Sequence, residues 1–374
     1  MMEFDLPTDA RGVLPSQWIR KAIDAGVIGS GDFKIPDRNI QPASLDLQLG
    51  EKAYRLRCSF LPGSGRVEDR LDDFTMGEVD LVEGGILERN RPYLIPLVEQ
   101  LDLPPFIHAK ANPKSSTGRL DIFTRVITDE SYRFDEIRAG YKGKLWLEVF
   151  SRSFTVQVRR TLSLNQLRLM AGNATIDDVA IMARHRTDPL LLVDGEPVSP
   201  EQVAIANGLF LSLDLTSGDS VGYKAKKNSA LLDLSKIGEH AIDDFWEPVP
   251  RERGGGVVLE PEEFYLLLSK EGVRIPPDLA AEMTAYDPTS GELRTHYAGF
   301  FDPGFGHDPS GVRHGSRAAL EVRAHDVPFM VESGQWVCKL GFERMLEPPT
   351  ILYGADIGSN YQGQGITVSK HFRH

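Results

Sequence analysis

A turn at residues 113–119 carries groups that can bind an anion. It reads Pro-Lys-Ser-Ser-Thr-Gly-Arg, so two cations, three hydroxyls and a glycine fall within seven residues. Hydroxyls and backbone amides donate hydrogen bonds to phosphate oxygens, arginine can donate two at once, and glycine lets the backbone approach closely. The spacing is not that of a Walker loop. A polar surface turn would have the same composition, so the rest of the chain must decide.

A second stretch, residues 296–306, combines a strong turn with aromatic side chains. It reads His-Tyr-Ala-Gly-Phe-Phe-Asp-Pro-Gly-Phe-Gly. The triplet Asp302-Pro303-Gly304 favours a tight turn, and the flanking rings can stack on a planar ligand. The pattern predicts a hairpin that contacts a flat ring.

The elements around these stretches are mainly short strands. Residues 14–26 predict one short helix, with Pro15 near its start and Gly26 after its end. Elsewhere short β-rich runs, such as residues 44–49 and 145–150, are separated by Gly, Pro, Asp and Asn. Many short strands with frequent turn signals are typical of a β-barrel or β-sandwich.

The composition is that of a globular protein with a small, local site for any anion. The 374 residues are 41% hydrophobic and 26% charged, with a net charge of −12. An acidic chain is a poor partner for nucleic acid. No apolar run reaches the length of a membrane span, and the N-terminal residues do not resemble a signal peptide. The two cysteines, Cys58 and Cys338, predict free, mostly buried thiols and a cytoplasmic location.

The chain repeats itself. Four short segments recur in the same order at offsets of 168, 172, 173 and 169 residues. The pairs are 45–47 with 213–215, 103–105 with 275–277, 147–149 with 320–322, and 165–169 with 334–338. A match of this kind in constant register indicates an internal duplication. Turn-forming residues cluster at 188–200 and mark the boundary.

The two copies are unequal. The counterpart of the anion turn, residues 287–293, has lost both cations and gained two acids, which would repel a phosphate. The counterpart of the hairpin, residues 134–143, is degenerate. One copy therefore keeps the anion turn and the other keeps the hairpin. This division predicts a site that lies across an interface and takes one piece from each copy.

At these segments the sequence resembles the dCTP deaminase/dUTPase superfamily, in the long form with two copies. The resemblance covers most of the chain in the right order. The matching segments are Asn39–Gly50, the phosphate-binding turn Lys114–Arg119, the pyrimidine hairpin His296–Phe305, the glutamate strands at 147–149 and 320–322, and the C-terminal tail Ser359–Ser369. One departure is Asn360, where the family often has a lysine.

The resemblance implies a fold and an assembly. The fold is all-β, with two tandem distorted β-barrels (jelly-roll-like and dUTPase-like) and a few short helices. The first domain would be residues 1–188, with the phosphate turn, and the second residues 189–374, with the hairpin and tail. The family also implies a homo-oligomer with sites between domains or subunits.

The reaction implied is hydrolysis of dCTP to dUTP and ammonia. Zinc deaminases carry an H-x-E…P-C-x-x-C signature, which this chain lacks, so a zinc cofactor is not expected. In this family, Mg²⁺ accompanies the triphosphate of the substrate. A metal-free route needs a carboxyl with a raised pKa that acts first as general base and then as general acid.

Glu148 and Glu321 are the candidates for that carboxyl. A glutamate in such a strand often has no role in chemistry and simply belongs to the solvent-facing side of the strand. Because the intact hairpin belongs to the second copy, we favour Glu321 and keep Glu148 as the alternative. The family assigns the remaining roles. Ser115 and the Ala298 carbonyl would orient the water; Lys114, Ser116 and Arg119 would hold phosphate; Asp302 would position the sugar; Phe305 and His296 would lie near the nucleoside; and Tyr361 and Gln364 would close over the triphosphate.

Two other functions stay open at this point. A dUTPase, or a bifunctional enzyme that converts dCTP to dUMP and diphosphate, would use the same fold. A non-enzymatic nucleotide-binding protein is possible because the second anion turn has lost its cations.

Overall fold

The computed structural model describes residues 4–216, 220–285, 293–295, 299–307, 315–324, 326–354, 361 and 368–373. These residues form many strands and a few short helices, as the sequence predicts for an all-β chain. Among the helices of the described ranges, none is both long and apolar enough to cross a membrane.

The helices are short, and the two longest are α1, Ser16–Asp24, and α4, Asp178–Thr187. The helices are α1 Ser16–Asp24, α2 Leu71–Phe74, α3 Ser115–Gly118, α4 Asp178–Thr187 and α5 Ile242–Phe245, with 3₁₀ turns at Asp37–Asn39 and Glu68–Arg70. The predicted helix is therefore confirmed as α1, which begins after Pro15 and buries Ile19 and Ala22. Helix α4 was not predicted, although its N-cap, Asp177, accepts a hydrogen bond from the Ala180 amide at 2.8 Å.

Strands fill the rest of each half. In the first half they are β1 Gly12–Val13, β2 Ile28–Gly29, β3 Leu45–Leu47, β4 Lys52–Leu56, β5 Thr75–Asp80, β6 Gly85–Leu87, β7 Pro92–Asp102, β8 Ile107–Pro113, β9 Ile122–Ile127, β10 Glu136–Ile137, β11 Lys142–Ser151, β12 Val156–Val158 and β13 Asn165–Ala171. In the second half they are β14 Leu191–Val193, β15 Glu196–Pro197, β16 Leu209–Ser212, β17 Gly222–Ala225, β18 Leu232–Asp233, β19 His240–Ala241, β20 Trp246–Val249, β21 Val257–Leu259, β22 Tyr265–Val273, β23 Leu279–Ala285, β24 Leu293–Thr295, β25 Phe300–Phe301, β26 Ser316–Ala324, β27 Phe329–Val331, β28 Trp336–Arg344 and β29 Phe372–Arg373.

Strand pairing follows the same pattern in both copies. Antiparallel β7–β11 places Glu148 opposite Leu94, and antiparallel β22–β26 places Glu321 opposite Leu266. The pairs β8–β13 and β23–β28 are likewise antiparallel. The two glutamates therefore occupy matching places in matching sheets, as the duplication requires.

The two copies share packing. The larger hydrophobic core consists mainly of first-half side chains, but it also takes Leu232, Phe245, Trp246 and Phe372 from the second half. Strand β18 lies parallel to β12 of the first half, and the rings of Phe154 and Trp246 meet edge to face at 5.3 Å. The tandem barrels and the boundary between residues 188 and 189 stay predictions.

The two cysteines are free, but only one is buried. Cys338 lies inside β28, whereas Cys58 is exposed. The prediction of buried thiols is therefore wrong for Cys58. Cys58 lies after strand β4, in a segment that contributes Phe60 and Val67 to a small buried cluster but leaves Cys58 exposed.

A buried arginine joins the two halves. Arg168, on β13, is fully buried and donates to Asp302 Oδ1 at 2.8 Å and to Glu343 Oε2 at 3.0 Å, both in the second half. Asp302 also accepts hydrogen bonds from the Ala43 amide and the Ser44 hydroxyl. Removing one partner of a buried ion pair leaves an uncompensated charge. Separating the two halves would therefore cost free energy.

A second group of polar side chains continues this junction. Lys110 pairs with Glu282 and, at 2.8 Å, with Glu343. Asn112 donates to Glu282 at 2.8 Å and accepts a hydrogen bond from the Gly299 amide at 2.9 Å. The first half thus holds the backbone of the hairpin at Gly299.

We expect Arg168→Met to destabilise the protein by about 3–5 kcal/mol, because Asp302 and Glu343 would keep their buried charges without the guanidinium. Urea unfolding checks this as a lower midpoint at unchanged slope. Arg138→Gln, which removes an exposed pair with Glu130, is the matched control and should change the midpoint little. Equal midpoints for both variants and the parent would contradict this view of the junction.

Candidate functional site

The anion turn forms a single helical turn, α3, between β8 and β9. Its residues fold back through hydrogen bonds from the amides of Gly118 and Arg119 to the carbonyls of Lys114 and Ser115. Lys114 pairs with Asp46 of β3. The Arg119 guanidinium lies 3.7 Å from the centre of the Tyr361 ring, and its Nε is 3.4 Å from the Ser115 hydroxyl. Cations and hydroxyls therefore converge on one place.

A cavity of about 470 Å³ opens over this turn and is lined by both halves. The first half contributes Lys114, Ser115, Ser116, Arg119 and Arg38. The second half contributes Phe300, Asp302, Phe305, Ala319, Tyr361 and Lys370. The structure thus brings the predicted anion turn and the predicted hairpin together in this cavity, called the first cavity below.

Two predicted hairpin residues are buried at its wall. Asp302 begins the turn, and its backbone carbonyl accepts a hydrogen bond from the Phe305 amide. Its carboxylate is already bound by Arg168. The Phe305 ring packs edge to face on Phe301 at 5.0 Å and against Tyr353. Gly304 has φ of +102°, and a Cβ there would lie 2.6 Å from the Tyr353 amide, so the turn requires glycine.

Three predicted site residues lie outside the described residues. They are His296, Ala298 and Gln364. Their assigned roles stay predictions.

The C-terminal segment returns to the anion turn. The Ser369 hydroxyl donates to the Ser116 carbonyl at 2.7 Å, and the Lys370 amide donates to the Tyr361 hydroxyl at 3.2 Å. The Lys370 side chain lines the first cavity. Burial lowers the pKa of Lys370, and the charge of Lys114 lowers it further. Two ammonium groups are thus held close together, which suits a multiply charged anion.

Glu321 is buried on β26, two residues beyond Ala319, but it is not itself among the residues that line the first cavity. Alternate residues of a strand share a face, so the side chains of Ala319 and Glu321 lie on the same face of β26. Burial raises the pKa of Glu321 well above its ordinary value, the charge of Arg119 acts in the opposite sense, and Asp121 raises it. Glu321 is therefore a carboxyl that stays protonated far above the usual range, beside the arginine of the anion turn.

Glu148 has a different neighbourhood. Burial raises its pKa, while Ser59 and Arg125 lower it. The place of Ala319 is taken by Trp146, which is 3% exposed and packs among the side chains of Leu56, Phe60, Val67, Leu94 and Ile127. An indole thus occupies in the first copy the position that the small Ala319 holds at the wall of the first cavity. Glu148 and Glu321 both line a separate cavity. This contrast favours Glu321 as the reacting carboxyl.

Sequence reasoning missed several of these contacts. Arg168 was not singled out, although an arginine between two leucines of a buried strand is a usable signal, because a buried charge needs a partner. Lys370 was also missed. It is the cation next to Ser369 in the predicted tail, but only the folded chain shows that it faces the anion turn.

Two sequence profiles match almost the whole chain. The 2'-deoxycytidine 5'-triphosphate deaminase N-terminal domain matches residues 10–173, and the C-terminal domain of the same enzyme matches residues 177–372.

Single-copy relatives match part of the chain. A dCTP deaminase of Natronomonas pharaonis is 32% identical over 130 residues, which cover 34% of this chain and 62% of that protein. A dUMP-forming dCTP deaminase of Dictyoglomus turgidum is 29% identical over 163 residues, which cover 42% of this chain and 78% of that protein.

A solved structure matches nearly the full length. The crystal structure of 2'-deoxycytidine 5'-triphosphate deaminase from Agrobacterium tumefaciens superposes with a TM-score of 0.84 and 46% sequence identity, over 91% of this chain and 99% of that one. The chain therefore belongs to the dCTP deaminase family of enzymes, in its long form with two domains in tandem.

Proposed function

We propose that this protein hydrolyses dCTP to dUTP and ammonia in the first cavity. The observation that carries the proposal is the buried Glu321 of the second copy beside Arg119 of the first copy's anion turn. Family membership and the names of the relatives support the substrate.

In the proposed mechanism, Glu321 moves one proton. Its carboxylate takes a proton from water as the water oxygen bonds to C4 of the cytosine. The attack places the C4–N3 π electron pair on N3. The resulting acid then gives its proton to the exocyclic nitrogen, the pair on N3 re-forms the bond to C4 as the C4–N bond breaks, and ammonia leaves. Transfer of the proton of the new hydroxyl to N3 completes the uracil. Ser115 and the Ala298 carbonyl would orient the water. Burial matters because a carboxyl with a raised pKa is a stronger base than an exposed one and is a usable acid near neutral pH.

The triphosphate would lie on the cations of the first cavity. Lys114, Ser116, Arg119 and Lys370 would bind its oxygens, and Tyr361 and Gln364 would close over it. Within the ranges that the structure describes, no three His, Cys, Asp or Glu side chains come together as a metal site. Asp46 and Asp302 of this cavity are already paired with cations. These contacts fit Mg²⁺ that arrives on the phosphates, and we propose no zinc.

The product we propose is dUTP rather than dUMP. Diphosphate release needs a carboxylate that orients water at the α-phosphate, and Asp302 is the candidate for it. Its two oxygens instead face Arg168, Ser44 and the Ala43 amide. The dUMP-forming relatives keep the bifunctional reaction as the second candidate.

The proposal includes the architecture. Each copy would be a distorted dUTPase-like barrel, with domains 1–188 and 189–374. The chain would act as a cytoplasmic homo-oligomer and supply dUTP for thymidylate synthesis. A non-enzymatic nucleotide-binding role is the remaining alternative.

Glu321→Gln should lower kcat for ammonia release from dCTP by at least about 100-fold, because general acid–base catalysis by a positioned side chain contributes about 10²–10⁴-fold. Glu148→Gln is the matched control and should stay within a few-fold of the parent. Ammonia, dUTP and diphosphate are assayed separately, and we expect no diphosphate. Unimpaired turnover by Glu321→Gln would refute the mechanism, and diphosphate release would favour the bifunctional reaction.

The pH dependence should report the raised pKa of Glu321. Because the attack step needs the carboxylate, kcat should rise with pH through a value well above 4.5, the ordinary pKa of a glutamate. Saturating dCTP at each pH removes the titration of the free triphosphate from the profile. Glu148→Gln should leave the rising limb in place. If kcat instead rises at the ordinary pKa of a carboxyl group, burial does not raise the pKa of the catalytic base.

Lys370→Gln should raise KM for dCTP by about tenfold while kcat changes less, because one charged hydrogen bond to phosphate is worth about 1.5–3 kcal/mol. Lys34→Gln, outside the cavity, is the control. A fall in kcat at unchanged KM would mean that Lys370 does not bind the ground-state triphosphate.

A further inference from the structure

A second cavity, of about 530 Å³, lies on the other side of Glu321. Glu321 and Arg323 of β26 line it from the second half, and Glu148 and Phe150 of β11 line it from the first. It shares none of its lining residues with the first cavity. The anion turn and the hairpin therefore do not account for it.

Its most unusual feature is a concentration of arginines in an acidic protein. Five line the second cavity: Arg57, Arg91, Arg125, Arg152 and Arg323. Arg323 is paired with Asp121, and Arg152 with Glu262. Arg57 and Arg91 are exposed at the rim. Within the described part of the chain, no ion pair is found for either of them. Planar guanidinium groups at a rim suit phosphate oxygens, which they bind through paired N–H groups.

The interior of the second cavity suits a planar ring. Phe123, Phe150 and Phe264 contribute to its wall. The carboxyl of Glu148 lies there too, and its Oε2 is buried without a hydrogen-bond partner among the described residues. Burial raises the pKa of this carboxyl, while Ser59 and Arg125 lower it. A carboxylate accepts hydrogen bonds, and its protonated form can also donate one. A ring with N–H and carbonyl groups on its edge would satisfy both.

We propose that the second cavity binds a second nucleotide, apart from the one whose phosphates lie on the anion turn, although its wall includes Glu321. The phosphates would lie on Arg57 and Arg91, and the base would lie against the phenylalanines with its edge at Glu148, whose Oε1 is 3.9 Å from the Arg125 guanidinium. This assigns a role to the first-copy glutamate, which lines the second cavity but not the first. The inference does not depend on which reaction the first cavity performs.

Equilibrium dialysis of the full chain with Mg²⁺ and labelled dUTP or ATP counts the sites. We expect two nucleotides bound per chain in total, and one in Arg57→Gln/Arg91→Gln. Loss of each arginine should weaken the second site by at least about tenfold. The control Arg11→Gln/Arg186→Gln removes two exposed arginines that line neither cavity and should keep both sites. Circular dichroism confirms that each variant is folded.

The two labels identify the source of the ligand. If dUTP fills both sites, the second cavity binds a pyrimidine nucleotide of the kind proposed as the product. If ATP fills the second site, the cavity binds a purine nucleotide, and the proposal stands. A number of bound nucleotides and an affinity that are the same in the parent protein and in Arg57→Gln/Arg91→Gln overturn it. Ammonia release from dCTP, measured on the same preparation, separates this failure from failure of the proposed reaction.

Discussion

The contact between Arg168 and the pair Asp302 and Glu343 is the interaction on which the rest of the site depends. Its charges come from different copies, and all three side chains are buried. Such charges are tolerated only together, since separating them leaves uncompensated charge in a poorly solvated place. The relative position of the copies is therefore fixed. With it the hairpin, which begins its turn at Asp302, is set against the anion turn.

Under the proposed function, the two copies divide the work of one site. Lys114 and Arg119 come from the first copy, and the hairpin comes from the second. The strands that carry the two glutamates pair identically, so backbone geometry does not distinguish Glu148 from Glu321. Side chains do. Ala319 lines the first cavity, whereas Trp146 fills the matching place in the first copy.

The sequence predicts what depends on local patterns. Helix α1 followed from Pro15, Gly26 and its apolar spacing, and the strands followed from short β-rich runs between turn residues. Repeated tripeptides indicated the duplication because a copy preserves order and spacing. The turn at Asp302 and the convergence of cations at residues 113–119 were likewise visible in the residue types.

Contacts between distant residues could not be predicted in the same way. Arg168 meets Asp302 across 134 positions of sequence, and no local pattern encodes that partner. Lys370 faces the anion turn only because the chain returns through Ser369 to Ser116. Cys58 was expected in a core, but it is exposed. The contrast between the two glutamates likewise depends on which neighbour fills the space.

A crystal structure of Glu321→Gln with dCTP and Mg²⁺ tests the central claim most directly. We expect the cytosine C4 beside the substituted side chain, the phosphates on Lys114 and Arg119, and contacts from both copies to a single nucleotide. A dCTP whose contacts all come from one copy, or whose C4 lies beside Glu148, would contradict the account.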